Sequence, residues 1–160
     1  MQGSPIIRPL SITIFTDGSC HTQLKTGGWA CIIFIDTEKL ILEGSEADTT
    51  HQRMELTAVL ESLHYLEKQG HLNVPIKIYS DSQYVVDLLK RKERLALSGY
   101  RTKKLRAIRN ADLVQKLVRF MSLPDITFHK LKSHLKTPDV ESILNREVDL
   151  LARRMMRKHY

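Results

Sequence analysis

Two short apolar runs end in an aspartate, and a helical pattern lies between them. Ile12-Thr-Ile-Phe-Thr16 leads into Asp17, and Ile76-Lys-Ile-Tyr-Ser80 leads into Asp81. Between the two, Leu56, Val59, Leu60, Leu63 and Leu66 recur at helical spacing. A strand reached through a crossing helix must lie parallel to a neighbour, because a tight turn can only reverse the chain. The chain is thereby confined to an α/β arrangement with a partly parallel sheet. Strand ends in open α/β sheets bring together side chains distant in sequence, which is why sites gather there.

The remaining elements follow from pattern. Ser11–Thr16, the almost continuous apolar run Trp29–Ile35 and the short Leu40–Gly44 read as an antiparallel meander, punctuated by Gly27-Gly28 and by Asp36–Lys39. Thr49 or Thr50 can cap the first helix and Gly70 can stop it. After Asp81 a helix through Val85, Val86, Leu88 and Leu89 runs into a basic stretch. Asn110 can cap the next, which carries Leu113, Val114, Leu117, Val118 and Met121 and ends before Pro124. Ile126–Leu131 reads as a fifth strand. The last helix turns Val140, Leu144, Val148, Leu151 and Met155 inward, with Arg153, Arg154, Arg157 and Lys158 at the end its dipole favours for cations. The predicted order is β-β-β-α-β-α-α-β-α: a mixed five-stranded sheet, three strands antiparallel and two parallel, flanked by helices. With no repeat or linker, residues 11–160 form one domain after a short N-terminal extension, residues 1–10.

Composition narrows the partners. The 160 residues carry 25 Lys and Arg against 18 Asp and Glu, a net charge of +7 that favours a polyanion. Cys20 and Cys31 lack zinc-type spacing and read as reduced thiols of a cytoplasmic protein. Residues 1–10 hold no apolar core of signal-peptide length and no run approaches a membrane span, so no membrane partner is expected.

Carboxylates brought together from strand ends repel one another, and cations between them relieve that repulsion. Glu55 lies one turn into the first helix and can point to the same sheet edge as Asp17 and Asp81. Asp149 sits about 100° around the last helix from its buried face, at the rim. Three or four carboxylates are the ligands expected for a Mg²⁺ pair that keeps several waters, and two ions about 4 Å apart suit in-line displacement at phosphorus. Taken singly, however, an Asp at a strand end is an ordinary turn or cap residue, and a Glu in a first helical turn is favoured by the dipole. Spacing alone leaves both readings open.

Five motifs in register carry more. Thr16-Asp-Gly-Ser-Cys20 with Gly27-Gly-Trp-Ala30, Thr49-Thr-His-Gln-Arg-Met-Glu-Leu56, Tyr79-Ser-Asp-Ser-Gln-Tyr-Val85, Lys132-Ser-His134 and Asn145-Arg-Glu-Val-Asp-Leu-Leu-Ala-Arg153 together resemble type 1 ribonuclease H, from about residue 11 to residue 154. The resemblance implies a ribonuclease H-like fold. It also implies Mg²⁺- or Mn²⁺-dependent hydrolysis of the RNA strand of RNA–DNA hybrids, leaving 5′-phosphate and 3′-hydroxyl ends. Asp17, Glu55, Asp81 and Asp149 match the family's metal-binding carboxylates, with two ions bound alongside substrate. His134 matches a loop histidine that aids proton transfer or product release.

For the hybrid, the resemblance implies contacts from Gln23, Thr50, His51, Gln52, Gln83 and Asn145. Lys90, Arg91, Lys92, Arg94, Arg101, Lys103, Lys104, Arg106 and Arg109 stand against only Glu93, a density suited to a nucleic-acid backbone. Gly99-Tyr100-Arg101 and the following helix resemble the family's basic protrusion, which grips the DNA strand. Leu95 and Tyr100 stand at its usual aromatic places, so charge should supply more of the affinity and make it steeply salt-dependent.

The chain departs from the family at three places. Gln23-Leu-Lys-Thr26 replaces a glycine- and proline-rich turn, His51 replaces an Asn, and fifteen positions separate His134 from Asp149. That last spacing is closer to the ribonuclease H domains of some reverse transcriptases. A free-standing, monomeric enzyme is the expectation. A non-catalytic binding module and a junction or exonuclease relative on the same fold are the alternatives.

Overall fold

The computed structural model describes residue 9, residues 11–131 and residues 139–159. Strands β1 (Ile12–His21), β2 (Thr26–Ile35) and β3 (Glu38–Glu46) form the antiparallel meander. Helix α1 (His51–Lys68) crosses to β4 (Ile76–Ser80), and helices α2 (Gln83–Leu97) and α3 (Ala111–Met121) lead to β5 (Ile126–Lys130). Helix α4 (Val140–Met156) follows and runs into a 3-10 turn, Arg157–His159. The sheet order is β3-β2-β1-β4-β5, with β4 parallel to both β1 and β5. The predicted element order and the mixed sheet are both present.

Both faces of the sheet are covered, which is why β2 reads as a continuous apolar run instead of an alternating one. On one face Ile12, Ile14, Ile76 and Ile78 pack with Leu56 and Leu63 of α1 and with Leu117 and Phe120 of α3. On the other, Phe15, Ala30 and Ile32 pack against Val148 and Ala152 of α4. The starts of α1, α2 and α4 are capped as their residue types direct. The hydroxyls of Thr50 and Ser82 each accept at 3.2 Å, from the N–H of Arg53 and of Val85, and Asp139 accepts from Ser142 N at 2.8 Å.

The structure corrects the sequence reading at four points. β1 does not end at Thr16; it continues through Asp17 to His21, paired along its length with β2. Gly27 and Gly28 are interior residues of β2 rather than turn residues, and they are glycine because helices press on them. A Cβ on Gly28 would lie 2.2 Å from the Ala152 carbonyl oxygen and 2.3 Å from Met156 N. Asn110 precedes α3, but with φ of 59° its side chain does not cap; it reaches Arg53 and Tyr84 instead. Val140, expected inward, is 71% exposed, because the packed face of α4 begins a turn later at Leu144.

Candidate active site

The parallel pairing of β1 with β4 stops at Thr16↔Ser80, while β1 runs on beside β2 to His21↔Thr26. Asp17 is therefore the first β1 residue beyond the end of β4, and Asp81 is the first residue after β4. Glu55, in the second turn of α1, reaches the same point because α1 lies directly on Gly18. A Cβ there would fall 2.3 Å from Glu55 N and 2.4 Å from the Met54 carbonyl carbon. The result is compact: one carboxylate oxygen from each of Asp17, Glu55 and Asp81 lies within 4.8 Å of the others, with Asp17 and Glu55 buried and Asp81 exposed. Asp149, half-buried on α4, lies near enough to raise the pKa of Asp17 and is held by Arg153 Nε at 3.2 Å. Three of the four predicted carboxylates share that cluster, and Asp149 stands beside them on α4.

Such a cluster is electrostatically frustrated by itself. Burial, followed by the charges of Asp81 and Asp149, pushes the Asp17 carboxyl from its ordinary 3.8 up to about 9, although Gly18 N–H donates to it at 2.8 Å. Asp81 is also raised, by burial first and then by Glu55 and Asp149. An all-oxygen donor set with surplus negative charge fits a hard divalent cation, which would relieve both effects. A stability prediction follows with its sign. The folded state holds the Asp17 proton between the unfolded pKa near 3.8 and the folded value of about 9, so it binds more protons than the unfolded state there. In chelator, stability should fall as pH rises across that window. Thermal unfolding of wild type and Asp17→Asn checks this, and an equally steep decline in the variant would refute it.

Two groups hold Glu55 in place. Ser82 Oγ donates a short hydrogen bond to Oε2, and His51 Nε2 lies 2.8 Å from Oε1. The bond to Glu55 holds the His51 proton more firmly than in a free imidazole. His51 is exposed at the rim but turned onto the carboxylate cluster. Ser82 does two jobs, capping α2 and orienting Glu55. Ser82→Ala should cost about 1 kcal/mol of stability and weaken divalent-ion affinity by about tenfold or more. Urea unfolding and an ion titration read the two effects separately.

The other predicted binding residues are distributed around this cluster. Gln23 is exposed in the β1–β2 turn, Thr50 is the exposed cap of α1, and Gln52 is half-buried in its first turn. Gln83 opens α2, bonded to Asp87 Oδ1 at 2.7 Å and to Lys130. Asn145 stands one turn before Asp149, its Oδ1 buried without a hydrogen-bond partner among the described residues. Arg101, Lys103 and Lys104 are exposed, and Tyr100 is half-buried against the core with φ of 60°. Leu95 is buried in that core and offers no stacking surface, whereas Leu97 and Leu105 are exposed in the basic segment. His134 lies outside the described residues.

Sequence reasoning missed Ser82, although its place between an acid and a helix is an N-cap signal. It also missed the fork of Arg53 onto Asp112, with Nη1 and Nη2 at 3.0 and 2.7 Å from the two carboxylate oxygens. This pair ties the first turn of α1 to α3 and holds the Asp112 carboxyl down at about 2. No sequence spacing links residues so far apart.

Comparison with known proteins agrees with this geometry. The RNase H family model matches residues 9–157. A ribonuclease H of Chlorobium limicola is 33% identical over 150 residues, covering 92% of this chain and 97% of the relative. Among solved structures, LC9-RNase H1, a type 1 RNase H with the type 2 active-site motif, superposes with a TM-score of 0.76 at 21% identity, covering 98% of this chain and 76% of that one. LC11-RNase H1 in complex with RNA/DNA hybrid gives a TM-score of 0.62 at 16% identity, covering 92% and 98%. The two structures speak for the fold, and the family model and the curated relative for the lineage. A ribonuclease H-like sheet, its carboxylates gathered where β1 outruns β4, and a match along nearly the whole sequence place this chain in the ribonuclease H family of endonucleases.

Proposed function

We propose that the chain hydrolyses the RNA strand of RNA–DNA hybrids with two divalent ions, Mg²⁺ or in its place Mn²⁺, leaving 5′-phosphate and 3′-hydroxyl ends. The observation that carries this reading is the convergence of Asp17, Glu55 and Asp81 within 4.8 Å, on a chain of this family. Asp17, Glu55, Asp81 and Asp149 would hold the ions, which when bound supply Lewis-acid stabilisation of charge developing at the scissile phosphate. Gly18 N–H fixes Asp17, while Ser82 and His51 fix Glu55, so the ligands are preset before substrate arrives.

Asn145, whose buried Oδ1 has no partner among the described residues, is suited to accept a hydrogen bond from a hydroxyl of the RNA strand. His134, proposed from its motif, would move a proton at the rim. The exposed cations at Arg101, Lys103 and Lys104 would meet the backbone of the DNA strand. Because Leu95 is committed to the core, binding should rest on charge and weaken steeply with salt. Among the described residues no helix is long and apolar enough to cross a membrane, in keeping with action on nucleic acid in the cytoplasm.

Labelled RNA–DNA hybrid, duplex RNA and a four-way DNA junction, offered side by side in Mg²⁺, test the proposal. Cleavage of the RNA strand of the hybrid, abolished by chelator, is expected. Binding without cleavage would indicate a non-catalytic module, and preferential cutting of the junction another nuclease class.

A further inference from the structure

The outer edge of the sheet is the second surface that the sequence shapes in detail. Among the described residues no strand pairs with the outer side of β3, the terminal strand of the order β3-β2-β1-β4-β5. Its centre reads Lys39-Leu-Ile-Leu-Glu43. Lys39, Ile41 and Glu43 oppose Phe34, Ile32 and Ala30 of β2 and so share the face covered by α4. Each charge is already paired with that helix: Lys39 Nζ lies 2.7 Å from Glu147, and Arg154 lies 3.1 Å from Glu43. Ile41 lies between them, 43% exposed. On the flank of α4 above this edge, Ile143 and Leu150 are 57% and 60% exposed. Edge strands are commonly guarded by charge. Here the two guards have opposite signs and stand symmetrically about an exposed isoleucine.

Against the monomer expected from the sequence, we propose that β3 pairs antiparallel with β3 of a second copy of this chain, about a two-fold axis at Ile41. In that register Lys39 meets the second copy's Glu43, Leu40 its Leu42, and Ile41 its Ile41. Each intramolecular ion pair then joins a row of alternating sign: Glu147, Lys39, the second copy's Glu43, the second copy's Arg154. Neighbouring registers lose this match. Centring on Leu42 sets Glu38 against Glu46, and centring on Leu40 sets Lys39 against Ile41. Opposed residues of an antiparallel pair share a face, so both copies of α4 lie on one side and Ile143 and Leu150 line the groove between them. The carboxylate clusters, two strands in from the joined edges, stay open at opposite ends of a continuous sheet. The association is concentration-dependent, because it rests on one strand edge and two short helix flanks.

Sedimentation across the micromolar range tests it. The wild-type mean mass should climb toward that of two chains. Lys39→Glu and Glu43→Lys each set like charges together at both contacts, so each alone should associate about tenfold more weakly or worse. An equimolar mixture of the two restores opposite charges at both contacts and should associate again. Ile41→Glu, which leaves both intramolecular pairs in place, should also abolish association. All three variants lie outside the carboxylate site, so unchanged hybrid cleavage and circular dichroism report their folding. A wild type that stays monomeric throughout, single variants that associate like the wild type, or a mixture that does not associate would each overturn the proposal.

Discussion

Replacing Asp17 or Asp81 by asparagine is expected to lower hybrid cleavage by about a thousandfold. A ligand carboxylate supports charge stabilisation worth several kcal/mol in the transition state, and each 1.4 kcal/mol is about tenfold in rate. The two variants should differ in stability, which separates a chemical role from a structural one. Asp81 is exposed, and its loss should leave the fold almost unchanged. Asp17 is buried and repelled by its neighbours, with its pKa pushed up to about 9, so asparagine should stabilise the ion-free protein at alkaline pH. Single-turnover cleavage and unfolding in chelator measure both quantities. Near-wild-type cleavage by either variant would sink the assignment of the site.

Gly18→Ala is expected to damage fold and chemistry together. The added Cβ would meet Glu55 N at 2.3 Å and the Met54 carbonyl carbon at 2.4 Å, and both are backbone atoms. No rotamer change relieves such a contact, so α1 must lift from β1 at a cost of about 1–3 kcal/mol or more. Lifting α1 also withdraws Glu55 from Asp17 and Asp81. A displacement of about 1 Å in a positioned group can cost about a hundredfold in rate. Gly28→Ala supplies the comparison, since its Cβ would collide with Ala152 and Met156 of α4 instead. Both variants should unfold more easily, and Gly18→Ala should show the larger loss of ion affinity. An ion titration in which Gly18→Ala matches wild type would refute the argument.

The legible part of the fold was the part governed by periodicity. β4 was read to within a residue, and the crossing helix made its parallel pairing unavoidable. What could not be read was set by packing between elements. Gly27 and Gly28 carry a turn signal in one dimension, but their lack of side chains serves α1 and α4 pressing on β2. Asn110 has the chemistry of a cap, yet its left-handed backbone turns the amide toward Arg53 and Tyr84. Leu95 occupied an aromatic position by motif and proved to be core.

The site divides along the same line. The four carboxylates were visible through their motifs, whereas the hydrogen bonds that orient them were not. His51 on Glu55 is an i, i+4 pair that helical spacing within α1 carries, but Ser82 on Glu55 depends on how α1 and α2 meet, and the Arg53–Asp112 fork on how α1 and α3 meet. These are distances, and a single chain read in order does not contain them.

The placement of Asp149 on α4 bears on how the nuclease comes into being. Asp17, Glu55 and Asp81 leave the ribosome well before it, on elements that pair and pack with one another in the folded protein. A chain made only as far as β5 carries those three acids and lacks the fourth. If Asp149 holds an ion as proposed, the centre is completed only when α4 docks across β1 and β2. On that proposal, synthesis acts as a safety catch, withholding a complete cutting centre from a half-made protein.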